Sequence, residues 1–391
     1  MRSLRLAWMG LCTALWAAVA NAQALPFGDD FESGTLSGWS ALDVVPGVTF
    51  AADPAAAHRG AYGARLVDSD ADAGAATTQG QLSQTLNPLT GAVYARFWMR
   101  LSSSNDQGSF IKVSQLQGTA SLSTLTELAV NYPGTELSFD SFDFSSNVET
   151  SQHTGRRLDA GEWHLFEFDI EGMGTADGGS RLWLDGDPMG QYAGVNWTGA
   201  TISQFTLGEC WGDPAWAGTL DFDDPRLSAT PLASTLVLTP ATLNPRVNDC
   251  VPVGVGLKDS VAGANAAVPY GFGATLTADG GGLFASSTCA TPVTTAALAP
   301  GQQSQVFFQP HRAGTVWIGV SAIDFLPASA TLVVGPFADG GPASDGGATA
   351  TPSIFAVSCG GAPASDCGLG VVWGAALALV LRRAQGPRWR R

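Results

Sequence analysis

The sequence predicts an all-β protein. Short runs alternate apolar and polar residues, Gly, Ser, Asn and Asp break those runs, and no stretch between residues 27 and 335 sustains a helical period. With 48 glycines and 22 prolines in 391 residues, turns are frequent enough for many short strands.

Taken in order, the chain opens with Arg2 and Arg5, an apolar run over 6–19, and the small-x-small triplet Ala20-Asn21-Ala22. These parts, in that order, predict a secretory signal peptide over 1–22 and not a membrane span.

Residues 27–230 form one block. Strands are predicted over 93–101, 110–116, 163–170 and 180–184, and Leu184-Asp185-Gly186-Asp187 carries the Asp-Gly signal of a tight hairpin. The block reads as an antiparallel β-sandwich. Residues 233–335 form a second block, with strands predicted over 235–238, 251–257, 274–278, 305–308 and 316–322, at intervals that suit an Ig-like sandwich. Cys250 and Cys289 fall inside it and are expected to pair as a staple between two of its strands. Residues 338–358 begin with a low-complexity Gly/Pro/Ala stretch and read as a stalk.

The last segment, 359–391, holds Cys359, Cys367, an apolar run over 368–381 and then Arg382, Arg383, Arg388, Arg390 and Arg391. As a helix the apolar run would be about 21 Å long, against a hydrocarbon core of about 30 Å. Snorkelling arginines lengthen the effective span, and their position fits the positive-inside rule. Cys359 suits a processed position, because Gly-Gly follows it and a Pro/Ala/Ser stretch separates it from the apolar run. The alternative is a Cys359–Cys367 disulfide.

Formal net charge is −15. Seven of the 19 basic residues and one of the 34 acidic ones lie in the two ends, which leaves 12 basic against 33 acidic residues between them. Lys112 and Lys258 are the only lysines. That balance argues against a nucleic-acid partner, which needs a basic surface for phosphates. No C-x-x-C spacing and only four scattered histidines argue against zinc and dithiol redox chemistry.

Several segments resemble known families. Tyr94-Ala-Arg-Phe-Trp-Met-Arg, Gly161-Glu-Trp-His-Leu-Phe-Glu-Phe-Asp, Arg181-Leu-Trp-Leu-Asp-Gly and Gly218-Thr-Leu-Asp-Phe-Asp-Asp-Pro-Arg-Leu, in this order, resemble the laminin-G-like, concanavalin A-like jelly rolls. The opening Asp29-Asp-Phe-Glu-Ser-Gly-Thr-Leu-Ser-Gly-Trp39 resembles the start of bacterial carbohydrate-binding jelly rolls. Asp259-Ser-Val-Ala-Gly263, Gly280-Gly-Gly-Leu-Phe284 and Ala313-Gly-Thr-Val316 resemble bacterial Ig-like domains of the invasin type, which act as spacers. The tail resembles the myxobacterial MYXO-CTERM sorting signal. That resemblance implies cutting near Cys359 by a membrane sorting protease, lipid on that cysteine, and display at the cell surface, on the outer membrane. The expected architecture is therefore a concanavalin A-like sandwich followed by an Ig-like sandwich, between a signal peptide and a short C-terminal anchor helix.

Three groups of residues invite a chemical reading. Glu167, Asp169 and Glu171 alternate along one strand and share a face. Jelly-roll β-glucanases use such a Glu-x-Asp-x-Glu pattern for retaining hydrolysis, with carboxyls about 5–5.5 Å apart. The matching hairpin, however, follows the catalytic strand in those enzymes, so the bland reading is Phe166, Phe168 and Ile170 inward with solvated acids. Second, Asp29, Asp30 and Glu32 on the first strand and Asp221, Asp223 and Asp224 on the last are predicted to converge if those strands lie side by side. Asp30, Glu32, Asp221 and Asp223 would then hold a structural calcium ion; separate solvated acids are the alternative. Third, Trp211, Trp216, Phe142 and Phe144 lie in predicted loops or loop-edge strands and are candidates for stacking on sugar rings, against core packing. Cys210 has no obvious partner. Asn196-Trp-Thr198 matches a glycosylation sequon that carries little weight in a bacterial chain.

The leading expectation is a surface-anchored protein whose jelly roll binds a polysaccharide or matrix polymer. A polysaccharide hydrolase or lyase on the same sandwich is the rival. A structural envelope protein without ligand is the third reading, since the fold alone does not decide.

Overall fold

The computed structural model describes residues 25–69, 80–118, 124–144, 146, 148–212 and 215–336. The signal peptide, the stalk and the tail with Cys359 lie outside the described residues. Among the described residues no helix is long and apolar enough to cross a membrane.

The first part contains β1 Phe27–Gly28, β2 Ala41–Val44, β3 Val48–Asp53, β4 Gly63–Asp68 and β5 Gly80–Leu89. Next come β6 Gly91–Ser104, β7 Phe110–Gly118, β8 Thr124–Asn131, β9 Glu136–Asp143 and β10 Val148–Arg157. It closes with β11 Trp163–Met173, β12 Gly178–Leu184, β13 Asp187–Val195, β14 Ile202–Gly212 and β15 Gly218–Ser228. One sheet runs β13-β12-β11-β6-β15-β4-β3, with β1 also paired to β15, and the other runs β10-β9-β8-β7-β14-β5-β2. The first and last strands thus lie side by side, Phe27 opposite Leu227.

Alternation explains the packing. On β11, Phe166, Phe168 and Ile170 enter the core and face Phe97, Ala95 and Val93 of β6. Phe97 and Phe166 stack with centroids 5.4 Å apart. From the other sheet, Leu128, Leu137, Phe139, Phe205 and Leu207 close the same core. Each such fully buried side chain contributes about 1.5–3 kcal/mol. The β12–β13 turn has positive φ at Asp185 (54°) and Gly186 (83°), the pair of conformations that a tight hairpin of this twist requires. Asp185 also accepts the Leu165 N–H at 2.9 Å, which ties the turn back to β11.

The second part contains β16 Ala233–Pro240, β17 Val251–Asp259, β18 Asn265–Ala266, β19 Phe272–Asp279 and β20 Gly281–Phe284. It continues with β21 Thr295–Leu298, β22 Ser304–Pro310, β23 Gly314–Ala322 and β24 Phe325–Val334. Layers β20-β22-β17-β16 and β24-β23-β19-β21 enclose a separate core and meet where β16 and β24 pair in parallel at Thr235 and Leu326. Cys250 and Cys289 form a disulfide with Cα atoms 5.9 Å apart. Both lie just outside strands, so the bridge ties the segment before β17 to the loop after β20 and does not join two strands directly.

A polar joint connects the two sandwiches. Arg96 on β6 is only 2% exposed and extends away from its own core. Its guanidinium donates to the Ala233 carbonyl, to the Asp324 carbonyl at 3.1 Å and to Asp224 at 3.2 Å. Arg59 pairs with both Asp224 (3.3 Å) and Asp324 (3.0 Å), and the Tyr270 hydroxyl donates to Asp324 at 2.6 Å.

Candidate functional site

The outer face of the second sheet carries a continuous row of polar side chains. Pairing places Ser83 of β5 opposite Thr206 of β14, and Thr206 opposite Gln115 of β7. Gln115 then faces Glu127 of β8, Glu127 faces Asp140 of β9, and Asp140 faces Ser151 of β10. At about 4.8 Å per strand, this row of six residues spans about 24 Å. The residues that flank it on each strand, such as Leu128 and Phe139, enter the core, so the row points away from it.

Beside the row stands an aromatic group around a lysine. Phe110 and Trp211 stack with centroids 4.9 Å apart. The Lys112 ammonium lies 5.2 Å from the Trp211 ring and 5.9 Å from each of Phe110 and Phe142. Lys112 pairs with Glu127, which also accepts from Gln115 at 2.8 Å, and Gln117 donates to Gln115 at 2.7 Å. Glu127, Asp140 and Glu149 bring carboxylate oxygens within 4.8 Å of one another. Burial pushes Glu127 up to about 7 despite the pull of Lys112. Burial also raises Asp140, with Ser151 pulling the other way. Five of the six row residues are buried, Thr206 and Glu127 completely. The face therefore presents the partly exposed Phe110, Lys112, Phe142 and Trp211 with Ser151 and Glu149 at the edge, flat rings beside polar groups of the kind that suits a sugar's apolar face and its hydroxyl rim.

The structure divides the predicted aromatic set. Trp211 and Phe142 stand on this face. Trp216 is fully buried: its ring packs near Tyr132 and its N–H donates to Ser104, so it belongs to the core. Phe144 packs against the core from the edge. Cys210 is buried and donates to the Thr206 hydroxyl at 3.2 Å; burial pushes its thiol up to about 12, which makes it inert.

The residues of the expected calcium set lie as follows. The strands are adjacent as expected, but each carboxylate has other partners. Asp221 is clamped by Arg65 (2.7 Å) and Arg100 (2.7 Å), and Asp223 accepts the backbone N–H groups of His58, Arg59 and Asp224. Glu32 accepts from Ala61 and Tyr62, and Asp30 from the Glu32 N–H. Arginines and amides therefore fill the place proposed for a hard cation.

Glu167, Asp169 and Glu171 are corrected in both of their readings. They do share a face, yet Glu167 and Asp169 are buried and not solvated. Glu167 accepts the Ser260 hydroxyl of the second sandwich at 2.6 Å, Asp169 is held by Arg181 at 2.6 Å, and Glu171 accepts from Tyr94 at 2.7 Å. Glu171 lines an open cleft of about 440 Å³ with Arg181 and Tyr192, but Glu167 and Asp169 are not part of its lining. A cleft of about 410 Å³ lies at the joint, lined by Arg96, Arg226 and Asp259 among others, but Asp224 already holds both arginines.

The face residues Phe110, Lys112, Gln115, Glu127 and Asp140 were not singled out in the sequence. A signal existed: Thr-Glu127-Leu and Phe-Asp140-Ser set acids at single alternating positions within apolar strands.

No protein-family model matches the chain, and no curated protein matches it. Among solved structures, the chain is similar to an endo-β-1,4-glucuronan lyase from the fungus Trichoderma reesei. Identity is 14%, the match covers 52% of this chain and 95% of that one, and the TM-score is 0.42. It is also similar to the cellulose induced protein Cip1 (21% identity, 52% and 97% covered, TM-score 0.39). A third is the alginate lyase Aly36B (11% identity, 44% and 82% covered, TM-score 0.31). At these identities and scores the likeness does not bear on this chain's chemistry.

Proposed function

We propose that the outer face of the β10-to-β2 sheet binds a polysaccharide, and that the chain is an extracellular recognition protein held at the cell surface by its sorting tail. In this reading the first sandwich is a concanavalin A-like jelly roll, and the second is an Ig-like spacer. The observation that carries it is the Phe110–Trp211–Phe142 group beside a polar row about 24 Å long. The test is a polysaccharide array probed with the full chain, then with Trp211→Ala. We expect binding to a defined glycan and a loss of about tenfold or more in the variant, from about 1.5 kcal/mol of ring contact. A folded protein that binds no glycan overturns the proposal.

A second reading, turnover of the bound polymer, rests on Glu127. A carboxyl pushed up to about 7 is poised to exchange protons near neutral pH. Glycan cleavage by the wild type that disappears in Glu127→Gln would establish it; intact glycan after prolonged incubation would dismiss it.

A further inference from the structure

We infer that the polar row ends in a subsite for a cationic sugar substituent, the ammonium of an amino-sugar polymer, received between Asp140 and Glu149. The inference rests on the polysaccharide-binding reading and names the class of glycan.

Three carboxylates lie within 4.8 Å of one another, and of these only Glu127 is in an ion pair among the described residues. Lys112 and Gln115 both go to Glu127, one to each of its oxygens. Asp140 is 4% exposed; Ser151 bonds its carboxyl, while its Oδ1 has no hydrogen-bond partner among the described residues. A buried carboxylate oxygen left without a donor costs about 1–3 kcal/mol or more, so it marks a place where a donor is wanted. Glu149 is exposed on the edge strand β10, opposite Phe142, and no basic side chain among the described residues pairs with it. Two carboxylates this close repel each other unless a positive group sits with them. The other charged or titratable groups nearby are Lys112, already on Glu127, His153, which lies 3.7 Å from Glu136, and Tyr192, which faces both Asp140 and Glu149 but donates its hydroxyl to the Phe139 carbonyl.

The ring geometry narrows the cation to a sugar's. Phe142 follows Asp140 by two residues on the same face of β9, so a pyranose resting on Phe142 places its substituents over the Asp140–Glu149 gap. An ammonium brings three donors and a charge, which suits two carboxylates, whereas an acetamido group brings one donor and no charge. A uronate would meet the acids with like charge, and the part of the chain between the leader and the tail is itself strongly acidic.

The experiment titrates the full chain with glucosamine oligomers, their N-acetylated counterparts and oligouronates, at about pH 6, where free amines carry charge. The free-amine oligomer is expected to bind about tenfold tighter than the acetylated one, the worth of one charge-assisted contact. Glu149→Gln, a change at an exposed position, should erase that preference. Equal binding of the two oligomers, or preference for the uronate, overturns the inference while leaving glycan binding intact. Loss of binding to every oligomer and every polysaccharide overturns both. Calcium added alone is the remaining arm: saturable binding that Glu149→Gln abolishes would make this a metal site and overturn the amino-sugar assignment.

Discussion

Replacing Arg96 by Met would test the joint that sets the second sandwich against the first. Met keeps an apolar stem against Phe325, whose ring lies 5.3 Å from the guanidinium, and removes the charged donors. Two backbone carbonyls, of Ala233 and Asp324, then lose their donor, the first beside the cleft at the joint. Each costs about 1–3 kcal/mol. Asp224 keeps Arg59 and Arg226, so its charge stays compensated and adds little. The expected loss is about 3 kcal/mol, at the low end of the range for breaking a buried ionic network. Urea unfolding of the full chain reads it, with Arg312→Met as control, because the exposed Arg312–Asp279 pair is worth about 0–1 kcal/mol. The wild type should unfold the two sandwiches together, and Arg96→Met should separate them into two transitions. A loss no larger than the control's would refute the reasoning and leave the joint as a loose contact.

Two further outcomes follow from the same network and from the disulfide. Burial raises Asp169 to about 6, Asp223 and Glu127 to about 7, and Glu209, beside Asp68, to about 9. The folded state therefore holds protons that the unfolded chain releases near pH 4, and stability is lost as pH rises through these values. Buried His58, lowered to about 4, works the other way, adding stability as pH rises from 4 to about 6.5. Urea midpoints should consequently fall from about pH 4 upward, most steeply up to about 7, and the remaining fall between about 7 and 9 should be lost in Glu209→Gln; a flat profile would contradict the assignment. Replacing Cys250 and Cys289 together by Ala opens a loop of 39 residues and should cost the second sandwich about 4 kcal/mol, read as an earlier unfolding of that part alone.

Much of the fold was legible because alternation is a local property. The inward set Phe166, Phe168 and Ile170 follows from period two on a single strand, and Asp185-Gly186 announced its turn by the conformations that only a few residues tolerate. The Cys250–Cys289 pair followed from two cysteines in one block of an expected extracellular chain.

What local pattern could not supply is what each face meets. Asp221 and Glu127 are both lone acids within strands. The first meets Arg65 and Arg100 from neighbouring strands, while the second joins a row whose members come from residues 83, 115, 127, 140, 151 and 206. Glu167 looked solvated until a second sandwich set Ser260 against it. Trp211 and Trp216 lie five residues apart, yet one stands beside Lys112 and the other lies in the core. By itself the sequence determined the strands, the side of each strand that is apolar, and one hairpin. The tertiary structure alone decided register and what each polar face meets, because both depend on contacts between segments far apart in the chain, and no period along one strand records them.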